Sequence, residues 1–175
     1  MLLRTDEEGR SAWHYAAFGG DLDVMQKIWE WAKERLTTED IKNEMLLRTD
    51  HEGRNAWHVA AYWGKVDLMQ KIWELAKERL TTEVIKNEML LRTDVEGKNA
   101  WKFAAFGVEL GVMQKIWEWA KKRLTTEEIK NVILLRTDDE GKNAWHLAAF
   151  GGVLGVMQKI RMWAKERLTT EEIKN

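Results

Sequence analysis

A chain of 175 residues without proline, Gly/Ser tracts or blocks of like charge offers no linker at which to divide it, so it is read as one unit. Twenty-eight basic against twenty-nine acidic residues leave a formal charge of −1, which excludes the basic footprint of a nucleic-acid or anionic-membrane binder. The absence of cysteine excludes disulfides, thiolate metal ligands and a cysteine nucleophile. No apolar run approaches the ~20 residues that span a bilayer, and the N-terminus has no signal-peptide layout, so the expectation is a soluble chain compatible with the cytoplasm.

The sequence "LLRTD" starts at residues 2, 46, 90 and 134, a constant spacing of 44, and divides the chain into copies of about 1–44, 45–88, 89–132 and 133–175. Self-similarity at such a period marks a solenoid, in which each copy buries its apolar face by stacking on the next. Each copy opens on a D-x-x-G turn (Asp6–Gly9, Asp50–Gly53, Asp94–Gly97, Asp138–Gly141), whose aspartate accepts local backbone hydrogen bonds. "AWHYAAFG", residues 12–19, then predicts a short helix, stopped by Gly20 as a left-handed residue.

"DLDVMQKIWEWAKERL" predicts the longest helix. Leu22, Met25, Ile28, Trp29, Ala32 and Leu36 share one stripe at helical spacing, and Val24 and Trp31 widen it to about half the circumference. An arc that wide suits a helix between two neighbours, with Gln26, Lys27, Glu30, Lys33 and Glu34 facing water. In "LTTEDIKNEML", Thr37 and Asp40, matched by Glu128 and Glu172 in later copies, form a capping box, and the i, i+4 pair Ile41 and Met45 predicts a brief third helix. No period-2 alternation is present, so the expected class is all-α, with strands absent or confined to the turns.

The segment D-x-x-G-x-x-A-W-H-x-A-A-x-x-G resembles the ankyrin repeat, with Asp6, Gly9, His14, Ala16, Ala17 and Gly20 at the family's positions and equivalents in the later copies. The resemblance covers about half of every copy and implies a stacked helix pair in each. This chain departs from the family in a tryptophan (Trp13, Trp57, Trp101, Trp145) where leucine is usual, and in eleven residues beyond the family's period of about 33, which form the third helix. The resemblance also implies a structural role for His14, His58 and His146, ring-bonded to the Ser or Asn shortly before them. As metal ligands these histidines lie on different layers, and Lys102 takes the third place.

Catalysis has no visible apparatus. Ser11 is the single serine, no cysteine accompanies it, Gly19-Gly20 lacks a following Lys-Ser/Thr, and the carboxylates repeat along a surface, so no enzyme activity, metal or cofactor is expected. Individuality lies where the copies differ: at the turn tips (Glu7, His51, Val95, Asp139), and at the end of the first helix (Trp63 against three glycines) beside an aromatic in every copy (Phe18, Tyr62, Phe106, Phe150). In ankyrin proteins these zones resemble the concave surface that grips partners. The competing reading places the aromatics in the core beneath the third helix. The expected function is a non-catalytic, protein-binding scaffold; the alternative is an engineered or excised structural array with no evolved ligand.

The last copy carries Arg161 where the others have Trp29, Trp73 and Trp117. An unpaired charge belongs in water, so the Trp29-type edge should face the following copy. Trp31 of the first copy then stays partly bare, a candidate surface for weak end-to-end self-association.

Overall fold

The computed structural model describes residues 1–174, and its regular structure is helical; among the described residues there is no strand, only isolated bridges within turns, Thr5 to Ser11 and Thr93 to Asn99. The first copy contains α1 (Ala12–Gly19), α2 (Leu22–Arg35), α3 (Thr38–Asp40) and π1 (Ile41–Leu46). The second contains α4 (Ala56–Tyr62), α5 (Val66–Arg79), α6 (Thr82–Ile85) and π2 (Lys86–Leu91). The third contains α7 (Ala100–Phe106), α8 (Leu110–Arg123), α9 (Thr126–Glu128) and π3 (Ile129–Leu134), and the fourth α10 (Ala144–Gly151), α11 (Leu154–Arg167) and α12 (Thr170–Lys174).

Each turn is held by its aspartate. Asp6 Oδ1 accepts the N–H groups of Glu8 (3.0 Å) and Arg10 (2.8 Å), and Asp50, Asp94 and Asp138 repeat the pattern. At the end of the short helices the chain reverses through a left-handed residue: Gly20 (φ 76°), Gly64 (φ 66°), Gly152 (φ 71°) and, in the third copy, Val108 (φ 55°). A Cβ in that region costs about 1–2 kcal/mol, and a β-branched side chain fits it worst. Val108→Gly is therefore expected to raise stability by up to about 1 kcal/mol, since the relieved strain exceeds the packing and chain-entropy loss of a half-buried valine. Urea unfolding checks it, and a net loss would show that the contacts of Val108 outweigh its backbone strain.

The third segment differs from expectation. The capping box is present, with Asp40 N–H donating to Thr37 Oγ1 (3.1 Å) and Thr37 N–H to Asp40 Oδ2 (3.1 Å), but only three residues are α-helical before the coil widens. Leu47 N–H donates to the Lys42 carbonyl at 3.0 Å, five residues back. The cause is in the apolar pattern: Ile41, Met45 and Leu46 are all buried, and i→i+5 spacing brings the last of them to the side of the other two.

The copies pack in order. Helix α1 lies against α4, α4 against α7 and α7 against α10, while α2 lies against α5 and α5 against α8. Buried tryptophans run through the core. Within copies Trp13 meets Trp29 (6.0 Å between ring centroids), Trp57 meets Trp73 (5.6 Å) and Trp101 meets Trp117 (5.8 Å). Between copies, Trp119 stacks on Trp73 at 4.6 Å and 14°, and Trp163 on Trp117 at 5.2 Å and 25°. The Trp29-type edge thus faces the following copy and the Trp31-type edge the preceding one, where the second copy places the buried Leu75. Trp31 itself is 47% exposed, and Leu22, expected in the buried stripe, sits exposed on the first turn of α2.

Candidate functional site

The ends of the short helices and the inner sides of the turns enclose a groove of about 420 Å³. Its first wall is aromatic. The ring of Phe18 meets Trp63 edge-on at 4.9 Å, Trp63 meets Tyr62 at 5.0 Å, Tyr62 stacks on Phe106 at 5.9 Å, and Phe106 stacks on Phe150 at 6.0 Å. These five side chains form one row across the four copies. Phe18 is 49% exposed, Trp63 47% and Phe150, beyond the end of the groove, 80%, which corrects the reading that placed the row in the core under the third helix. The third segments pack elsewhere, π1 against α5 and π2 against α7 and α8.

The second wall is charged and comes from the turns. The tip residues Glu7, His51, Val95 and Asp139 have exposed side chains, and none of them lines the groove. The backbones of the last three stitch the turns together: His51 N–H donates to the Glu8 carbonyl, Val95 N–H to Glu52 and Asp139 N–H to Glu96, at 2.9–3.0 Å. Arg10, Arg54, Glu52, Lys98 and Glu96 form this wall instead. They stand at turn positions whose charge recurs in every copy, so a comparison that sought differences between copies passed over them.

The wall's character changes along its length. Arg54 donates through Nε (3.0 Å) and Nη2 (2.9 Å) to Oδ2 of the buried Asp50, a two-pronged grip that suits the planar guanidinium. Arg10 makes the Nε bond to Asp6 at 3.0 Å, and the Tyr15 hydroxyl donates to the same oxygen at 2.6 Å, which holds the Asp6 carboxyl well below the usual carboxylate range. In the later copies the base is lysine: Lys98 pairs with Glu96, and Lys142 with Glu140. Burial therefore raises Asp94, and Asp138 Oδ2 is left buried without a partner.

Between the walls the floor holds Tyr15, Val59 and Phe103, with His14 and His58 beneath. Tyr15, Val59 and Phe103 were missed as candidates. Each stands three residues before Phe18, Tyr62 or Phe106, one helical turn away on the same face, and each differs between copies, so the pattern carried the signal.

The Trp-His pairs are framework. His14 Nδ1 lies 3.0 Å from Ser11 Oγ, and the other ring nitrogen reaches the Arg54 carbonyl of the following copy at 3.2 Å. His58 bridges Asn55 Oδ1 (2.7 Å) and the Arg92 carbonyl (3.1 Å). The link to the next copy was not legible in the spacing. Burial lowers both histidines, His58 to about 4. Lys102, in the third place, is buried with Nζ donating to the Gly97 carbonyl at 2.9 Å, and burial lowers it to about 8. His146 keeps its Asn143 contact (2.8 Å) but is exposed at the end of the row.

Among the described residues no three His, Cys, Asp or Glu side chains converge as a metal set, and no helix is long and apolar enough to cross a membrane. Neither a scan against protein-family models nor a search of curated proteins returns a match for this chain.

Proposed function

We propose that the chain is a non-catalytic binding scaffold: one ankyrin-like solenoid over residues 1–175 whose four copies present a concave groove to a protein partner. The observation that supports this reading is the row of exposed Phe18, Trp63, Phe106 and Phe150 joined through the half-buried Tyr62. Large apolar side chains gathered on one exposed strip characterise interaction sites, and tryptophan and tyrosine dominate interface hot spots. The charged turn wall supplies a polar rim to that apolar strip, with Arg10 and Arg54 at its first half and Lys98 beyond them. The ligand this surface suits is a protein segment that inserts apolar side chains along the row and meets the turns with polar ones.

The test is capture of partners from a lysate by the immobilised chain, followed by affinity measurement on whatever is retained. Trp63→Gly places at residue 63 what Gly19, Gly107 and Gly151 already are in the other copies, so the helical circular dichroism is expected to stay unchanged. Affinity is expected to fall by at least about tenfold, the effect of removing a central aromatic anchor. Equal affinity in Trp63→Gly, in Phe106→Ala and in substitutions of the turn tips would remove the groove from consideration and leave a structural array without an evolved ligand.

A further inference from the structure

The two ends of the chain expose the two halves of a contact that its interior makes repeatedly. At two of the three internal junctions, second to third and third to fourth, an indole of the later copy lies on the earlier copy's pair: Trp119 on Trp57 and Trp73, Trp163 on Trp101 and Trp117. A lysine of the third segment pairs with a glutamate of the next copy, Lys86 with Glu128 at 2.8 Å and Lys130 with Glu172. The carbonyls of Glu52 and Glu96 accept N–H groups of the next turn.

At the N-terminal end, the half-exposed Trp31 borders a groove of about 650 Å³ with Leu2, Leu3 and Leu36. The Asp40 carboxylate stands at the place of Glu128 and Glu172, and Glu7 at that of Val95 and Asp139. At the C-terminal end, Trp145 is 37% exposed, whereas its equivalents Trp57 and Trp101 are buried. Lys174 is exposed at the place of Lys86 and Lys130, and Glu140 at that of Glu52 and Glu96. Three groups on one end thus have their internal counterparts on the other: Trp31 matches the Trp145 indole, the Asp40 carboxylate the Lys174 amine, and the Glu7 N–H the Glu140 carbonyl.

One position is mismatched. In the interior, Arg79 lies 6.0 Å from the centre of the Trp29 ring and Arg123 5.7 Å from that of Trp73, each a cation over an indole of the preceding copy. The last copy has the exposed Arg161 there, so Arg35 of an incoming chain would meet a guanidinium instead of an indole. We propose that the N-terminal face of a second copy of this chain docks on the C-terminal face of the first, head to tail, and that Arg161 keeps this association weak. The joint is heterologous and does not close on itself, so what limits its growth is the strength of each contact. It uses none of the residues that line the groove, so it stands or falls independently of that site.

Sedimentation velocity over a concentration series of wild type and Arg161→Trp reads the association directly. Arg161→Trp is expected to lower the concentration of half-association by at least about tenfold, the change that corresponds to about 1.4 kcal/mol. Adding Trp31→Glu to Arg161→Trp closes one end, and this double variant is expected to run as a monomer alone yet to form a dimer when mixed with wild type, whose N-terminal face is open. Unchanged sedimentation of Arg161→Trp would overturn the proposal. So would self-association that survives Trp31→Glu, because it would come from a sticky indole or a symmetric contact and not from a head-to-tail joint.

Discussion

Trp101→Ala is expected to lower the free energy of unfolding by about 3–5 kcal/mol, the range for emptying a buried aromatic site. Trp101 has 0% of its surface exposed and touches the core of two copies at once, 5.8 Å from Trp117 in its own and 5.2 Å from Trp163 in the next. Its removal strips partners from both copies and leaves a cavity between rigid helices that cannot close. The indole works here through its apolar body, because Trp101 Nε1 is buried with no hydrogen-bond partner, as are Trp13 Nε1 and Trp57 Nε1. Trp101→Phe, which keeps a ring and removes the unpaired donor, is accordingly expected to cost much less than alanine, about 1 kcal/mol. Trp31→Ala, on an open face, serves as the control and should stay within about 0.5 kcal/mol of wild type. Urea unfolding followed by far-ultraviolet circular dichroism measures all three. A loss below about 1 kcal/mol in Trp101→Ala would show that the tryptophan column fills space without holding the copies together.

The tryptophans also show how much of the fold could be read from residue order. The helices were legible because local chemistry marks their boundaries: an aspartate closing the turn before the short helix, a glycine after it in three copies, and a capping box before the third segment. The facing of the long helix was legible through one exception, Arg161, since a charge cannot replace a buried indole without water. The π-helical third segment was not, because Ile41, Met45 and Leu46 suit an α-helix as well until the surrounding core demands all three. The aromatic row was found by comparing the copies with one another, but the same comparison misled at the turns. There the variable side chains point away, while Arg54, Glu52 and their equivalents, nearly constant in charge, build the wall. Constancy within a repeat signals what each copy needs, and in this groove the repeated framework and the candidate surface share residues.

That sharing extends beneath the floor to His58, where it makes stability depend on pH. The folded chain holds the buried imidazole at about 4, because burial disfavours the charged ring, against about 6.5 for a histidine in the unfolded chain. Between those values the unfolded state binds a proton that the folded state refuses, so stability falls as pH falls from about 6.5 to 4, by up to about 3 kcal/mol for this residue. Burial lowers His14 as well, which adds loss in the same direction. Below about 4.5 the glutamates that lysines hold low, Glu128 and Glu172, contribute a further decline as they are protonated. Lys102 opens a second, separate window: the folded state holds it at about 8 against 10.5, so stability rises with pH across that interval. Urea midpoints measured from pH 4.5 to 10 should therefore climb through the first window, level off near neutrality and climb again through the second. His58→Gln is expected to lower stability at pH 7.5 and to flatten the first climb while leaving the second in place. An equal slope in wild type and His58→Gln would mean that the ring is charged where it lies, its two N–H groups donating to Asn55 Oδ1 and the Arg92 carbonyl, with those acceptors outweighing the cost of burial.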